Sequence, residues 1–170
     1  MHPTKNDIPA AKRKKIADVL SQLLVDAIDL KSQIKQAHWN VKGENFIALH
    51  ELFDAVATEV EAAVDMIAER VVQLGGEAVG TVRASAKKSR LKEYPLTLAD
   101  GEKHADALSS VLAAFNAHGR KGIDDTDDLG DAVTADLLTG VVRGLDKQLW
   151  FVESHLATMQ AKSAKLRSVK

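Results

Sequence analysis

Four residues in one stretch of the chain have types and spacing suited to holding a metal ion: His50, Asp54, Asp65 and Glu69. The intervals between them are 4, 11 and 4 residues. At about 100° per residue of α-helix, four residues advance a stripe by about 40° and eleven by about 20°, so all four side chains fall on one broad face. His50 with Asp54, and Asp65 with Glu69, each sit one helical turn apart. An imidazole and a carboxylate in that relation can grip one hard or borderline cation. An acidic i,i+4 pair is ordinarily a solvated surface, and a lone histidine is ordinarily surface or satisfied core. Two features point the other way. Residues 44–69 contain seven acidic side chains and no basic one, and like charge so concentrated costs energy unless a cation compensates it. Leu49, Phe53 and Ile67 lie near these groups, so the face is not plainly solvated.

A single chain cannot close one site from both pairs. His50 and Glu69 are nineteen residues apart, roughly 28 Å along a helix. The pattern has a pseudo-centre between Glu59 and Val60. Two copies of this helix packed antiparallel across a two-fold axis would bring His50 to the partner's Glu69, and Asp54 to the partner's Asp65. An isologous interface makes two such sites at once. The alternative, a di-iron site inside one bundle, uses Glu-x-x-His on two helices. The residues three before the histidines are Lys35, Ile47, Gly101, Phe115 and Val152, so that motif is absent.

The elements that must position these groups are helices. Prolines stand only at 3, 9 and 95, and alternating β-branched runs are lacking. The pattern predicts an all-α chain with four main helices. The first runs from about 9 to 41, with Ile16, Val19, Leu20, Leu23, Leu24, Ala27, Ile28 and Leu30 at helical spacing. The second runs from about 46 to 74, stopped by Gly75-Gly76. A long connection over 75–98 has room for a short extra helix at 81–88. The third is expected over 100–118, closed by Gly119 and Gly122, and the fourth over about 133–160. Two short connections and one long one describe a bundle with a long crossover, the ferritin-like variant; an up-down bundle with an ordinary long loop fits the same pattern. Residues 1–170 read as a single domain with basic tails at about 1–15 and 161–170. Hydrophobic residues at 45% and charged residues at 28% describe a globular chain, not a disordered one. The absence of cysteine excludes a disulfide framework, a Cys-ligated zinc site and a thiol nucleophile, and suits a reducing cytoplasm. Residues 1–7 are polar, so no signal peptide is expected, and no apolar run reaches membrane-spanning length.

The stretch His38-Trp39-Asn40-Val41-Lys42-Gly43-Glu44-Asn45-Phe46, continuing through Leu49-His50-Glu51-Leu52-Phe53-Asp54 and Asp65-Met66-Ile67-Ala68-Glu69-Arg70, resembles the signature of the Dps family, the mini-ferritins. Thr134-Ala135-Asp136 and Leu145-Asp146-Lys147-Gln148-Leu149-Trp150-Phe151 resemble that family's last helix. The resemblance implies a hollow dodecamer of four-helix subunits that oxidises Fe(II), preferably with hydrogen peroxide, and stores Fe(III) in its cavity. It implies an iron centre at a dimer interface, with His38, His50 and Asp54 from one subunit and Asp65 and Glu69 from the other. It gives Trp39 a role as a residue near the centre that absorbs stray oxidising equivalents. The side chain alone reads as a core anchor, the expectation favoured here, and Trp150 reads as structural.

Six aspartates and no base lie in residues 124–136. As sequence they read as a solvated loop with helix-capping carboxylates. In a closed cage they would make an acidic pore, for which Asp136 is the first candidate, with Asp131 and Asp127 behind it. Lys5, Lys12, Arg13, Lys14 and Lys15 at one end, and Lys162, Lys165, Arg167 and Lys170 at the other, are candidate DNA contacts. Repeated on an oligomer, they would give salt-sensitive, sequence-independent binding. His2, His104, His118 and His155 have no convincing metal spacing and read as surface or core. The expected function is peroxide-dependent ferroxidase and iron store, with non-specific DNA among its partners. The alternative is a DNA-compacting nucleoid protein in which iron chemistry is secondary.

Overall fold

The computed structural model describes residues 1–156. It contains five helices: α1 (Ala10–Asn40), α2 (Phe46–Gln73), α3 (Val82–Lys88), α4 (Gly101–Asp128) and α5 (Ala132–Ser154). There is no strand among the described residues. Pro9 precedes α1 with φ −54°, already helical, where its missing N–H costs nothing. Asp100 and Asp131 cap α4 and α5, accepting from the backbone N–H of Glu102 and Thr134.

α1 and α2 form one hairpin and α4 and α5 the other. Gly101, at the start of α4, lies against Leu49 near the start of α2 and against Val41 after the end of α1. Gly122, far along α4, lies against Leu23 and Val19 of α1. α4 therefore runs parallel to α2 and antiparallel to α1, which requires residues 74–100 to cross the full length of the bundle. That settles the crossover topology over the up-down one. α3 sits within the crossover and packs on α1. The core runs the length of the bundle, from Ile16, Leu20, Ile67 and Leu74 at one end to Ile34, Phe53, Leu108 and Phe115 at the other.

One boundary differs from expectation. Gly119 and Gly122 do not close α4. They lie inside it, where a Cβ would stand 2.6 Å from Val142 and 2.9 Å from Leu23, so their smallness lets α5 and α1 approach. The stop is Gly130. At φ +82° it takes the left-handed cap, with Asp131 N–H donating to the Thr126 carbonyl (3.0 Å) and Gly130 N–H to that of Asp127 (2.7 Å). Gly75, at φ +84°, ends α2 by the same pattern of bonds. Asp124, Asp125, Asp127 and Asp128 thus belong to the last turns of α4, not to a loop. The basic run at 12–15 lies on α1, as a first helix starting near residue 9 requires. The expected end of the fourth helix near 160 falls outside the described residues.

Three buried polar arrangements tie the elements. Arg70, in the last turn of α2, donates to both Asp131 oxygens at 3.0 Å and to Thr134 Oγ1 at 2.8 Å. Burial pushes the Asp131 carboxyl up, but the Thr134 hydroxyl and amide and the Arg70 guanidinium outweigh it and hold it below the ordinary value. Asp26, fully buried in α1, accepts from the Arg90 backbone N–H, Nε and Nη2 and from Gln22. Tyr94, the only tyrosine, is hydrogen-bonded to Nδ1 of the buried His104. Burial pushes Tyr94 up to about 12 and His104 down.

Two outcomes are expected. Asp131→Ala removes the cap and strands a buried guanidinium, lowering unfolding stability by about 3–5 kcal/mol in urea titration. The His104 imidazole is depressed on folding, so the unfolded chain binds the proton more readily. Stability should fall as pH drops below the ordinary histidine value, and the fall should be shallower in His104→Leu. Tyr94 is raised on folding, so stability should also fall as pH climbs above its ordinary value of 10.0.

Candidate metal centre

The short α1–α2 connection brings the last turn of α1 beside the first turns of α2. His38 Nδ1 lies 2.8 Å from the His50 carbonyl, and His50 Nδ1 lies 2.9 Å from the His38 carbonyl. The rings stack with centroids 3.8 Å apart and 22° between planes. A carbonyl only accepts, so each Nδ1 carries the hydrogen. In the neutral ring Nε2 is then the lone-pair nitrogen, the form in which imidazole binds a metal. The His38 carbonyl belongs to the last turn of α1, where no helical N–H remains to satisfy it. The ring of Phe46 covers His50 from 5.2 Å.

Asp54 follows His50 by one turn. Its carboxylate is exposed and lies 2.6 Å from Lys35 Nζ. That ammonium is the main reason the carboxyl titrates below its ordinary value, with His38 and His50 adding to it. Lys35 also stands 6.0 Å from the centroid of the Trp39 ring. His38 and His50 thus form a stacked pair, and Asp54, one turn further along α2, is paired with Lys35. Asp65 and Glu69 lie apart from these groups. They continue the same strip of α2, exposed, with no ion-pair partner among the described residues. From Asp54 to Asp65 is about 16 Å of helix rise. Within one chain, no group of three or more His, Asp or Glu side chains able to hold a metal ion forms among the described residues.

The opposite side of α2 is core: Leu49, Phe53, Val56, Val60, Ala63 and Ile67 are buried. The strip of His50, Asp54, Asp65 and Glu69 faces outward, and Ile47 and Val72 lie at its two ends, 59% and 55% exposed. These two positions share the midpoint of the polar pairs, between Glu59 and Val60.

The ferritin-like domain family matches residues 17–161. A DNA protection during starvation protein from Agrobacterium fabrum is 45% identical over 155 residues, covering 91% of this chain and 96% of the relative. This chain belongs to the Dps family. A Brevibacillus brevis protein of the same description is 34% identical over 144 residues, 83% of this chain and 94% of its own. The tetragonal-form structure of Mycobacterium smegmatis Dps superposes with a TM-score of 0.87 at 34% identity, over 92% of this chain and 94% of that one. Iron storage and the protection of DNA are the general functions of Dps proteins.

Three expectations need correction in this Dps chain. Trp39 does not anchor the core: it is 67% exposed beside His38, because its position on α1 turns away from the bundle. Trp150 is similarly outward, at 63%. Asp131 is no candidate for a pore, since its carboxylate is committed to Arg70 and Thr134 and buried; Asp127 and Asp136 are exposed. Arg13 is no candidate for a DNA contact, since Nε and Nη1 donate to the Ile8 and Leu74 carbonyls at 2.9 Å. Those bonds pin the start of α1 to the end of α2. Lys5, Lys12, Lys14 and Lys15 are exposed, and Lys14 pairs with Asp18 at 2.8 Å. Lys162, Lys165, Arg167 and Lys170 lie outside the described residues.

Lys35, paired with Asp54, was not among the residues expected at the site. The signal was present, three residues before His38 on the side of α1 that meets α2. Because its ammonium occupies a carboxylate oxygen that a cation would need, Lys35→Met should tighten binding of Co(II), a redox-stable probe. The pair is solvent-screened, so the expected gain is modest, a lower Kd for Co(II) in a calorimetric titration.

Proposed function

We propose that two copies of this chain pair through their outward α2 strips, antiparallel. His38, His50 and Asp54 of one subunit then face the partner's Asp65 and Glu69 across two equivalent iron centres. The observation that carries this reading is the exchange of hydrogen bonds between His38 and His50, which commits each Nδ1 to a carbonyl and keeps Nε2 as the nitrogen with which a neutral ring can ligate. The shared midpoint of the polar pairs and of the exposed Ile47 and Val72 supports it, since antiparallel pairing sets Ile47 of each copy on the partner's Val72 and closes each end of the strip with apolar contact.

Iron is the substrate. Two imidazoles and three carboxylates bind Fe(II), and the hard carboxylate oxygens favour Fe(III), so they lower the cost of removing an electron. Hydrogen peroxide needs two electrons and two protons to become two water molecules. Two ferrous ions held together supply one electron each, which avoids the one-electron step that releases hydroxyl radical. Fe(III) passes to storage inside a hollow dodecamer, in the cytoplasm. Asp136 and Asp127 are the candidates for an acidic entry route. The carboxylates of Asp124, Asp125, Asp127 and Asp128 stand at the C-terminal end of α4, where the helix dipole already disfavours negative charge, so a passing cation is attracted there. Basic side chains at the two ends of the chain supply contacts to DNA.

Anaerobic Fe(II) oxidation after addition of peroxide, followed by absorbance, tests the centre. The parent is expected to consume about two Fe(II) per peroxide rapidly, with His50→Ala and Glu69→Ala each slower by about a hundredfold, in keeping with loss of a metal ligand. Elution volume should be unchanged. Parental rates in either variant would remove that residue, and with it the shared centre.

A further inference from the structure

The crossover carries a concentration of positive charge that the iron centre does not use. Residues 81–92 contain Arg83, Lys87, Lys88, Arg90 and Lys92 and no acidic side chain. Arg90 is neutralised by Asp26 at 2.5 Å. Arg83, Lys87, Lys88 and Lys92 are exposed, and none has an ion-pair partner among the described residues.

The backbone beneath them is fixed. Ser85 Oγ donates to the Val25 carbonyl (2.8 Å) and Gln22 to the Lys88 carbonyl (3.0 Å). Ser89 Oγ donates to Asp29 (2.5 Å), the Arg90 N–H to Asp26 (2.9 Å) and Gln33 to the Lys92 carbonyl (3.0 Å). Every one of these ties runs inward to α1, which leaves the four cations on the outer side. Arg83 and Lys87, four residues apart on α3, share a face with about 6 Å of rise between them, on the scale of neighbouring phosphates in a nucleic-acid strand.

We propose that this edge of the crossover is a docking surface for the phosphodiester backbone of duplex nucleic acid, separate from the chain termini. The chemistry selects that partner. Four unpaired cations match a polyanion, and a clamped backbone reduces the ordering cost of binding it. Residues 81–92 contain no aromatic side chain on which an unpaired base could stack, which favours duplex over single strand. α3 exposes one large apolar side chain, Val82, too little for insertion into a membrane interface. Binding of this kind reads no sequence and weakens steeply with salt.

The test uses the full-length chain, a fluorescent duplex of random sequence and anisotropy over a KCl series. One variant combines Arg83→Gln, Lys87→Gln, Lys88→Gln and Lys92→Gln; a second combines Lys162→Gln, Lys165→Gln, Arg167→Gln and Lys170→Gln. The crossover variant is expected to bind at least about tenfold more weakly near about 50 mM KCl, with a logarithmic salt slope shallower by about 0.9 for each phosphate no longer neutralised. Its elution volume and its rate of Fe(II) oxidation should match the parent. Parental affinity and slope in the crossover variant would overturn the proposal, as would a loss confined to the second variant. Tighter binding of the parent to anionic phospholipid vesicles than to duplex would overturn it in favour of a membrane. A changed elution volume would overturn it by assigning these cations to an interface between copies of the chain.

Discussion

A neutral imidazole has one nitrogen that donates and one that accepts, and in this chain two backbone carbonyls decide which is which. His38 and His50 each give Nδ1–H to the other's carbonyl. Much of the architecture serves to make that exchange possible. The last turn of α1 must leave a carbonyl unclaimed, the connection must be short, and the positive φ of Gly43 (+107°) must turn the chain within it. Phe46 then packs on one ring, and the aliphatic core beneath Leu49 and Phe53 holds the first turns of α2 against α1. The result is a pair of rings whose orientation is set by main-chain atoms. Little rotamer freedom remains to be lost on binding.

The bundle itself is held by apolar contact, but its register is marked by buried carboxylates. Arg70 with Asp131 joins α2 to α5, and Asp26 with Arg90 joins α1 to the crossover. A buried ion pair is weak as a net source of stability. Its effect is to make wrong arrangements costly: Asp26, Asp131 and Arg70 are each left uncompensated in a dry place when the partner is missing, whereas Arg90 keeps contact with water. A chain that must thread one connection along the whole bundle has use for such markers. Arg90 fixes the register of that connection against α1, and Asp131 fixes where α5 begins.

The helices, the long crossover and the polar strip of α2 were legible in the sequence, because periodicity and charge are local properties; that the strip is solvated was not, since Leu49, Phe53 and Ile67, read as its neighbours, lie on the opposite, core side. The strip was legible for a further reason: seven acids with no base form a pattern a surface helix seldom keeps. What was hidden depended on tertiary neighbours. Gly119 and Gly122 look like Gly130 in sequence, and only the packing of Val142 and Leu23 separates a close approach from a cap. Asp131 looked like one more carboxylate in an acidic tract until Arg70, sixty-one residues away, claimed it. Trp39 was read by its size, which favours burial, although its place on α1 turns it outward. The tautomers of His38 and His50 rest on main-chain atoms, about which side-chain types say nothing.

The reversal symmetry of the α2 strip has a genetic consequence. On the proposed pairing, each centre takes the imidazole end of one chain and the carboxylate end of another, and a lesion is not confined to the copy that carries it. In a pair formed by one chain lacking His50 and one lacking Glu69, both losses fall in the same centre and the other centre keeps every ligand. Two inactive alleles expressed together would thus restore activity in part. Two alleles damaged at the same end would restore none.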